Sequence, residues 1–330
     1  MGGLNIPENK KTIVGVGSAL MDMLIKEPDE FMVRLGVEKG GMNLVDQLYI
    51  DQLVAQASSV PSFVSGGSAC NTAFGVAKLG GSGRFVGKMG NDELGELFKQ
   101  DLQNNSVDPV LFNSSTPTGR VLSVITPDAQ RSMFTYLGAS AEMHPTEISL
   151  DCFKDAAIVH VEGYLLFNRD LMMAVLKSAR DNGSLISLDL ASFNVVEESM
   201  DILDDIIREY VDILIANEDE AKAYCGQKNE ASALNALAEN ADVAVLKLGP
   251  KGSLIAHQDQ MMTIAPMGSG EAVDTTGAGD LWASGFLFGM VNGYSFEKSG
   301  HLASACGYEV CQVIGAKIPE DGWNRIRKLL

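Results

Sequence analysis

Asp274-Thr275-Thr276-Gly277-Ala278-Gly279-Asp280, running straight into the apolar stretch Leu281 to Val291, is the segment on which the reading of this chain turns. Two close glycines, hydroxyl side chains and an acid ahead of an apolar run read as a loop that opens a helix. Thr275 or Thr276 can cap that helix, and Gly277 and Gly279 let the backbone approach a ligand. Exposed N–H groups at the helix start, added to the positive end of its dipole, make an anion site. Asp280 falls in the first turn, beside it. A carboxylate does not bind phosphate, so its place suits a base that takes a proton from a nearby hydroxyl. An acid in a first turn is equally at home as a plain dipole partner. Trp282 stands where the dinucleotide fingerprint has its third glycine, and no Gly-x-x-x-x-Gly-Lys-Ser/Thr occurs, so neither of those nucleotide loops is present.

The 330 residues suffice for two domains or one large α/β domain, and 46% hydrophobic content fits a well-packed interior. A net charge of −18 argues against nucleic acid or an anionic membrane as partner, since both demand Lys/Arg patches. Five cysteines without a CxxC pair read as core thiols of a reducing cytosol. His144, His160, His257 and His301 show no paired metal spacing, and no Ser-His-Asp triad can be argued. The first residues lack an apolar signal region and no apolar run reaches 18 residues, so a soluble, cytoplasmic protein is expected.

Along the chain, Thr12 to Gly17 reads as a buried strand ending in Ser18 to Asp22. Asp22 then lies beyond a strand's carboxyl end, where parallel sheets bind ligands, unless it is only a turn acid. Residues 23 to 45 interrupt the rhythm, with a turn or hairpin at Lys39 to Asn43, and Asp46 to Ala57 looks helical. Small residues from Ser65 open a helix that Gly80 stops, which close helix–sheet packing alone could explain. Arg84 to Met89 reads as a strand and Asp92 to Asn104 as a capped helix. Asp108 to Tyr136 alternates like strands, with Arg120–Thr126 and Arg131–Tyr136 flanking a turn at Asp128–Gln130. Phe134 and Tyr136 share a strand face and could cover a planar base, with Tyr164 and Phe167 opposite, or simply pack. Arg131 could reach a phosphate or stay exposed. From Ala157 onward strands and helices alternate with short turns, then a hairpin forms around His257–Gln260. That pattern predicts a doubly wound, mostly parallel sheet. With no linker or repeat, residues 1–330 read as a single domain.

Asp274–Asp280 resembles, without a substitution, the second signature of the ribokinase-type (PfkB) family of sugar and nucleoside kinases. The resemblance implies an α/β fold of ribokinase-like type: a doubly wound, mostly parallel sheet flanked by helices, with a small β lid from segments around 23–45 and 108–137. It implies that Gly277, Ala278 and Gly279 form the hole for the transferred phosphoryl group and that Asp280 is the general base. Gly66-Gly67-x-x-x-Asn71 is similar to the first signature, whose glycines and Asn touch the acceptor. An Asp at the position of Asp22 holds two neighbouring ring hydroxyls in the family, a task one carboxylate can perform. Asn217-x-x-Glu220 matches the motif that orders water and Mg²⁺ near the phosphates, which needs few direct carboxylates. Lys247-x-Gly249-x-x-Gly252 resembles the nucleotide-proximal Thr-x-Gly-x-x-Gly, with lysine in place of the hydroxyl; that lysine could meet an ATP phosphate. In relatives, Asp274, Thr276 and the Gly315-Ala316 turn lie beside a monovalent cation such as K⁺.

The implied activity is an ATP- and Mg²⁺-dependent phosphotransferase acting on a hydroxymethyl group. Val14–Asp22, Lys39–Asp46 and Tyr136–Ser140 are similar to bacterial adenosine kinase-like members, so conversion of adenosine to AMP is expected. A sugar kinase for ribose, fructose or a 2-keto-3-deoxy sugar acid is the alternative, and a sensor that kept the fold without turnover is a third reading. The expected partner is a small nucleoside or sugar, and the expected assembly a monomer or homodimer.

Overall fold

The structure, a computed structural model, describes residues 6, 9–37, 39, 41–127, 131–268 and 270–330. Its strands are β1 Thr12–Val16, β2 Leu20–Lys26, β3 Gly41–Leu44, β4 Ser62–Gly66, β5 Ser82–Gly90, β6 Val107–Ser114, β7 Gly119–Ile125, β8 Arg131–Tyr136, β9 Ala156–Glu162, β10 Leu185–Asp189, β11 Ile213–Asn217, β12 Val243–Lys247, β13 Ser253–His257 and β14 Gln260–Ile264. Near-continuous Val, Ile, Leu and Ala runs make β1 and β9 to β12 suited to burial on both faces, the demand of a parallel sheet. They join a large sheet in the order β14-β13-β12-β11-β10-β9-β1-β5-β6. Only the pairs β12–β13 and β13–β14 are antiparallel.

Side chains alternate between two apolar layers. Val14, Val159, Leu188 and Leu214 pack on one side with helices Arg169–Asp181 and Phe193–Tyr210. Ile13, Ile158, Ile215 and Val245 pack on the other with helix Ala278–Val291. Every residue from Leu281 to Val291 is buried, because helices Ser68–Lys78 and Phe296–Val310 cover its remaining sides. Strand order reverses at β1, with β5 on one side and β9 on the other. The crevice beyond the carboxyl ends at such a reversal is where open α/β sheets bind ligands.

A second sheet, in the order β3-β8-β7-β2-β4, forms the lid. Its outward layer is Met23, Ile25, Leu122, Val124 and Phe134 packed on Phe31, Met32, Ile50 and Leu53. The helices that supply those residues are Asp29–Leu35, which the sequence reading does not contain, and Gln47–Gln56. Three expectations need correction. The lid begins at Leu20, so Asp22 sits inside a lid strand rather than in a loop; Leu20 to Met23 are buried on both faces and show no period-2 alternation to announce it. β6, expected in the lid, pairs with β5 along the edge of the large sheet, whereas β4, read as the opening of a helix, pairs with β2. Phe134 and Tyr136 do share a face, but it is the outward one: Phe134 is 1% exposed and lies against Tyr49, so the pair does not cover a substrate. The turn at Asp128–Gln130 lies outside the described residues, as does Gly40 of the Lys39–Asn43 turn.

Candidate active site

The glycine loop builds the floor. Gly277 is the residue before helix Ala278–Val291, at φ 74°, a left-handed conformation that glycine adopts without strain. No side chain caps this end, so neither Thr275 nor Thr276 acts as expected. Thr276 instead bonds back to Asp274, through N at 2.9 Å and Oγ1 at 2.7 Å. The first i→i−4 bond runs from Leu281 N to Gly277 O at 2.8 Å, leaving the amides of Gly279 and Asp280 to an external acceptor.

Asp280 is held from helix Ser68–Lys78. Ser68 Oγ donates to its Oδ1 at 2.8 Å and Asn71 Nδ2 to its Oδ2 at 3.0 Å, while Thr72 Oγ1 donates to its main-chain oxygen at 3.1 Å. Each carboxylate oxygen keeps a free lone pair for a substrate proton. Burial pushes the Asp280 carboxyl above the ordinary range against the pull of those two donors, which suits a group that must accept a proton near neutrality. Asn71 Oδ1 is buried with no donor among the described residues.

The acceptor end gathers Asp22, Gly66 and Gly67. A Cβ on Gly66 would lie 2.6 Å from Asp22 Oδ2, so the bare backbone is what leaves room for that carboxylate. Gly67, at φ 99°, starts helix Ser68–Lys78. Asp22 is 7% exposed and accepts no hydrogen bond from the described residues. Burial raises its carboxyl to about 6, with Arg131 and Lys317 pulling the other way. Glu162, which sequence reasoning missed, closes the same region: it accepts Ser18 N at 2.8 Å and Ala69 N at 3.3 Å, and burial pushes it up to about 7. Tyr164 lies beside these acids, its phenol raised to about 12 by burial and by Glu162 and Asp280; Phe167 is exposed.

The nucleotide end lies along the next strand ends. Asn217 and Glu220 form a reciprocal cap, Glu220 N to Asn217 Oδ1 at 2.9 Å and Asn217 N to Glu220 Oε2 at 2.7 Å. Asn217 Nδ2 takes the remaining oxygen, Oε1, at 2.7 Å. Burial raises the Glu220 carboxyl to about 7, although Lys247 draws it down. With both oxygens engaged and 2% exposure, Glu220 fits magnesium through a water rather than as a direct ligand. Lys247 Nζ pairs with Asp189 Oδ2 at 2.7 Å, and Gly249 and Gly252 turn the chain beyond it at φ 54° and 95°. Asp189, like Ser68, was not anticipated. The available signal is that β9, β10, β11 and β12 end on Glu162, Asp189, Asn217 and Lys247, each apolar run stopping at a polar residue.

Arg131 crosses from the lid to the loop. Its Nη1 bonds Thr276 Oγ1 and lies 3.5 Å from Asp274 Oδ2, while Nε and Nη2 bond Ser123 Oγ at 2.9 and 2.6 Å. Asp274 also accepts Gly315 N at 2.8 Å; its carboxyl stays below the usual range because those donors and Arg131 outweigh burial. Asp274 thus accepts from Thr276 and Gly315, and the Arg131 guanidinium lies beside it. Among the described residues no cluster of three or more His, Cys, Asp or Glu could hold a metal, and no helix is long and apolar enough to cross a membrane.

The family model described as pfkB family carbohydrate kinase matches residues 44–322. The chain belongs to the pfkB carbohydrate kinase family. A 5-dehydro-2-deoxygluconokinase of Listeria monocytogenes is 30% identical over 73% of this chain and 78% of its own. Among solved structures, a probable sugar kinase from Rhizobium etli superposes with TM-score 0.89 at 31% identity, covering 98% of this chain and 99% of its own. The adenosine kinase from Sinorhizobium meliloti gives 0.88 at 30%, covering 98% and 100%. Members of the pfkB family are ATP-dependent kinases acting on sugar or nucleoside hydroxyls, and this chain is such a kinase.

Proposed function

We propose that the acceptor is a nucleoside, adenosine fitting best, phosphorylated at its 5′-hydroxyl to give AMP. The observation that carries this reading is the inward face of the lid. Leu24, Ser123, Met133 and Met42 stand opposite one another across β2, β7, β8 and β3, on the face that also bears Asp22 and Arg131. Arg131 reaches the glycine loop, so this face looks onto the site. It offers a carboxylate for a ribose diol and, beside it, Leu24, Met133 and Met42, adaptable apolar side chains suited to a flat base. The acids at the acceptor end are Asp22 and Glu162, which disfavour an anionic sugar acid there, while Arg131 and Lys317 act against them. The likeness to the Sinorhizobium meliloti adenosine kinase supports the same choice; the Listeria monocytogenes relative supports the sugar alternative.

In this reading Asp22 binds the diol and Asn71 Oδ1 accepts a further hydroxyl. Asp280 takes the proton of the 5′-hydroxyl as its oxygen bonds to the γ-phosphorus of ATP and the bond to the ADP oxygen breaks. The amides of Gly277, Gly279 and Asp280 and the Lys247 ammonium stabilise the charge on the group in transit, whereas the Ala278 amide, expected to join them, already donates to Thr275 O at 3.1 Å. Asn217 and Glu220 would hold magnesium through water, and the ion would supply further charge neutralisation there. The lid excludes bulk water, held down by Arg131. The test is kcat/KM for adenosine, ribose, fructose and a keto sugar acid at the same Mg·ATP concentration. Adenosine should win; a sugar ahead by tenfold or more overturns the nucleoside reading.

A further inference from the structure

We propose that Asp189 is a positioning residue for phosphoryl transfer: from the end of β10 it holds the Lys247 ammonium against the Gly279 backbone, at the mouth of the anion hole. This rests on the kinase reading of the Gly277–Gly279 loop given above. Lys247 Nζ lies 2.7 Å from Asp189 Oδ2, the two side chains being 13% and 8% exposed. A Cβ placed on Gly279 would come within 3.0 Å of that nitrogen, so the ammonium stands directly over the loop whose amides face the transferred group.

A lysine has a flexible four-carbon stem and a compact charge, so its direction is set by its partner, and burial alone favours its neutral form. Asp189 supplies both direction and charge. The carboxylate is itself fixed: Oδ1 accepts Ala191 N at 3.1 Å, in a turn where Ala191 takes φ 65°, leaving Oδ2 to the lysine. His160 lies behind it on β9, fully buried and bonded to Ser187 Oγ at 3.1 Å; burial lowers it to about 4, so it faces Asp189 as a neutral ring. The other charges facing the lysine are Glu220 and Asp280, each from its own helix. Burial opposes the lysine's charge, yet Asp189 and Glu220 outweigh it and hold its pKa above the ordinary value. Asp189 has no use as a phosphate ligand, because an unpaired carboxylate there would repel the nucleotide.

That repulsion gives a test whose sign reverses with context. In the intact chain with Mg·ATP and adenosine, Asp189→Asn should lower kcat about tenfold or more and raise KM for ATP, by loss of an oriented charge, while KM for adenosine stays within about twofold. Lys247→Met should cost more, about a hundredfold in kcat/KM for ATP, because it removes the charge and leaves Asp189 buried and unpaired. The double variant Lys247→Met/Asp189→Asn should then exceed Lys247→Met severalfold. ATP kinetics of Asp189→Asn within twofold of wild type, or an equal loss from it in both backgrounds, overturns the proposal. Should Asp189→Asn fail to fold, the double variant against Lys247→Met decides alone. If Lys247→Met turns over ATP normally, the lysine is no phosphate contact and the proposal falls with it, while phosphorylation by the wild type still stands as evidence for the kinase.

Discussion

The carboxyl ends of β9 to β12 and the inward face of the lid meet over one crevice but are built in opposite ways. At the strand ends and the helix starts beside them, each charge is held by a partner: Lys247 by Asp189, Glu220 by Asn217, Asp280 by Ser68 and Asn71. On the lid, one face is spent on its own small core, and the other presents Leu24, Met133 and Met42 around a single acid with no donor among the described residues. The first arrangement fixes chemistry, since transition-state charge needs groups already in place. The second leaves acceptor choice to a surface that can repack, consistent with a family that spans sugars and nucleosides.

Asp280→Asn separates the two regions most sharply. It should retain the fold and ATP binding but lose at least ~10²-fold in kcat, the scale of a removed general base. Because burial raises the Asp280 carboxyl, the wild-type rate should also fall on acidification at a pH above the ordinary carboxylate range. Near-normal turnover in this variant would place the base elsewhere and dissolve the contrast.

Arg131→Met cuts the link between the regions. The guanidinium donates to Ser123 on the lid and Thr276 on the loop, and a charged hydrogen bond contributes about 1.5–3 kcal/mol. We expect a loss of roughly tenfold or more in kcat/KM for the acceptor, with increased ATP hydrolysis where water enters. Unchanged kcat/KM with no added hydrolysis would show that the lid closes without it.

Glu220→Gln sharpens the strand-end side. On the proposed role of Asn217 and Glu220, the Mg²⁺ concentration for half-maximal rate should rise severalfold, kcat at saturating Mg²⁺ changing less. An unchanged titration would reduce the Asn217–Glu220 pair to a helix cap.

The smallest effect is one of stability. Burial raises Glu162 from 4.5 to about 7, so between those values the folded protein keeps a proton that the unfolded chain releases. Stability from this group is fully present below pH 4.5 and is lost as pH rises through 7. Glu162→Gln cannot lose it, so between pH 5 and 8 wild type should weaken relative to the variant by roughly 1–3 kcal/mol in urea unfolding. A constant difference across that range would contradict the raised carboxyl.

The same contrast explains what the sequence disclosed. The parallel strands and the glycine loop were legible because each is a local pattern: an apolar run, or small residues before a helix. Arg131–Tyr136 falls where the alternation puts it. The lid was harder, because its strands are contributed from four separated parts of the chain and β2 shows no alternation. Phe134 faced outward because helices Asp29–Leu35 and Gln47–Gln56 cover that side, a fact of tertiary packing. Asp189 and Glu162 were missed because each is one acid after an apolar run, indistinguishable locally from a turn residue; only the adjacency of β9, β10 and β12 to the loop gives them a role.

The most direct measurement is a competition in one vessel. Wild-type protein receives equimolar adenosine, ribose, fructose and 5-dehydro-2-deoxygluconate with limiting Mg·ATP, and the phosphorylated products are resolved by mass spectrometry and ³¹P NMR. AMP, phosphorylated on the 5′-oxygen, should be the dominant product, and it should disappear in Asp280→Asn. A sugar phosphate as the main product would contradict the nucleoside reading, placing the selectivity of the lid with the sugar kinases of the family.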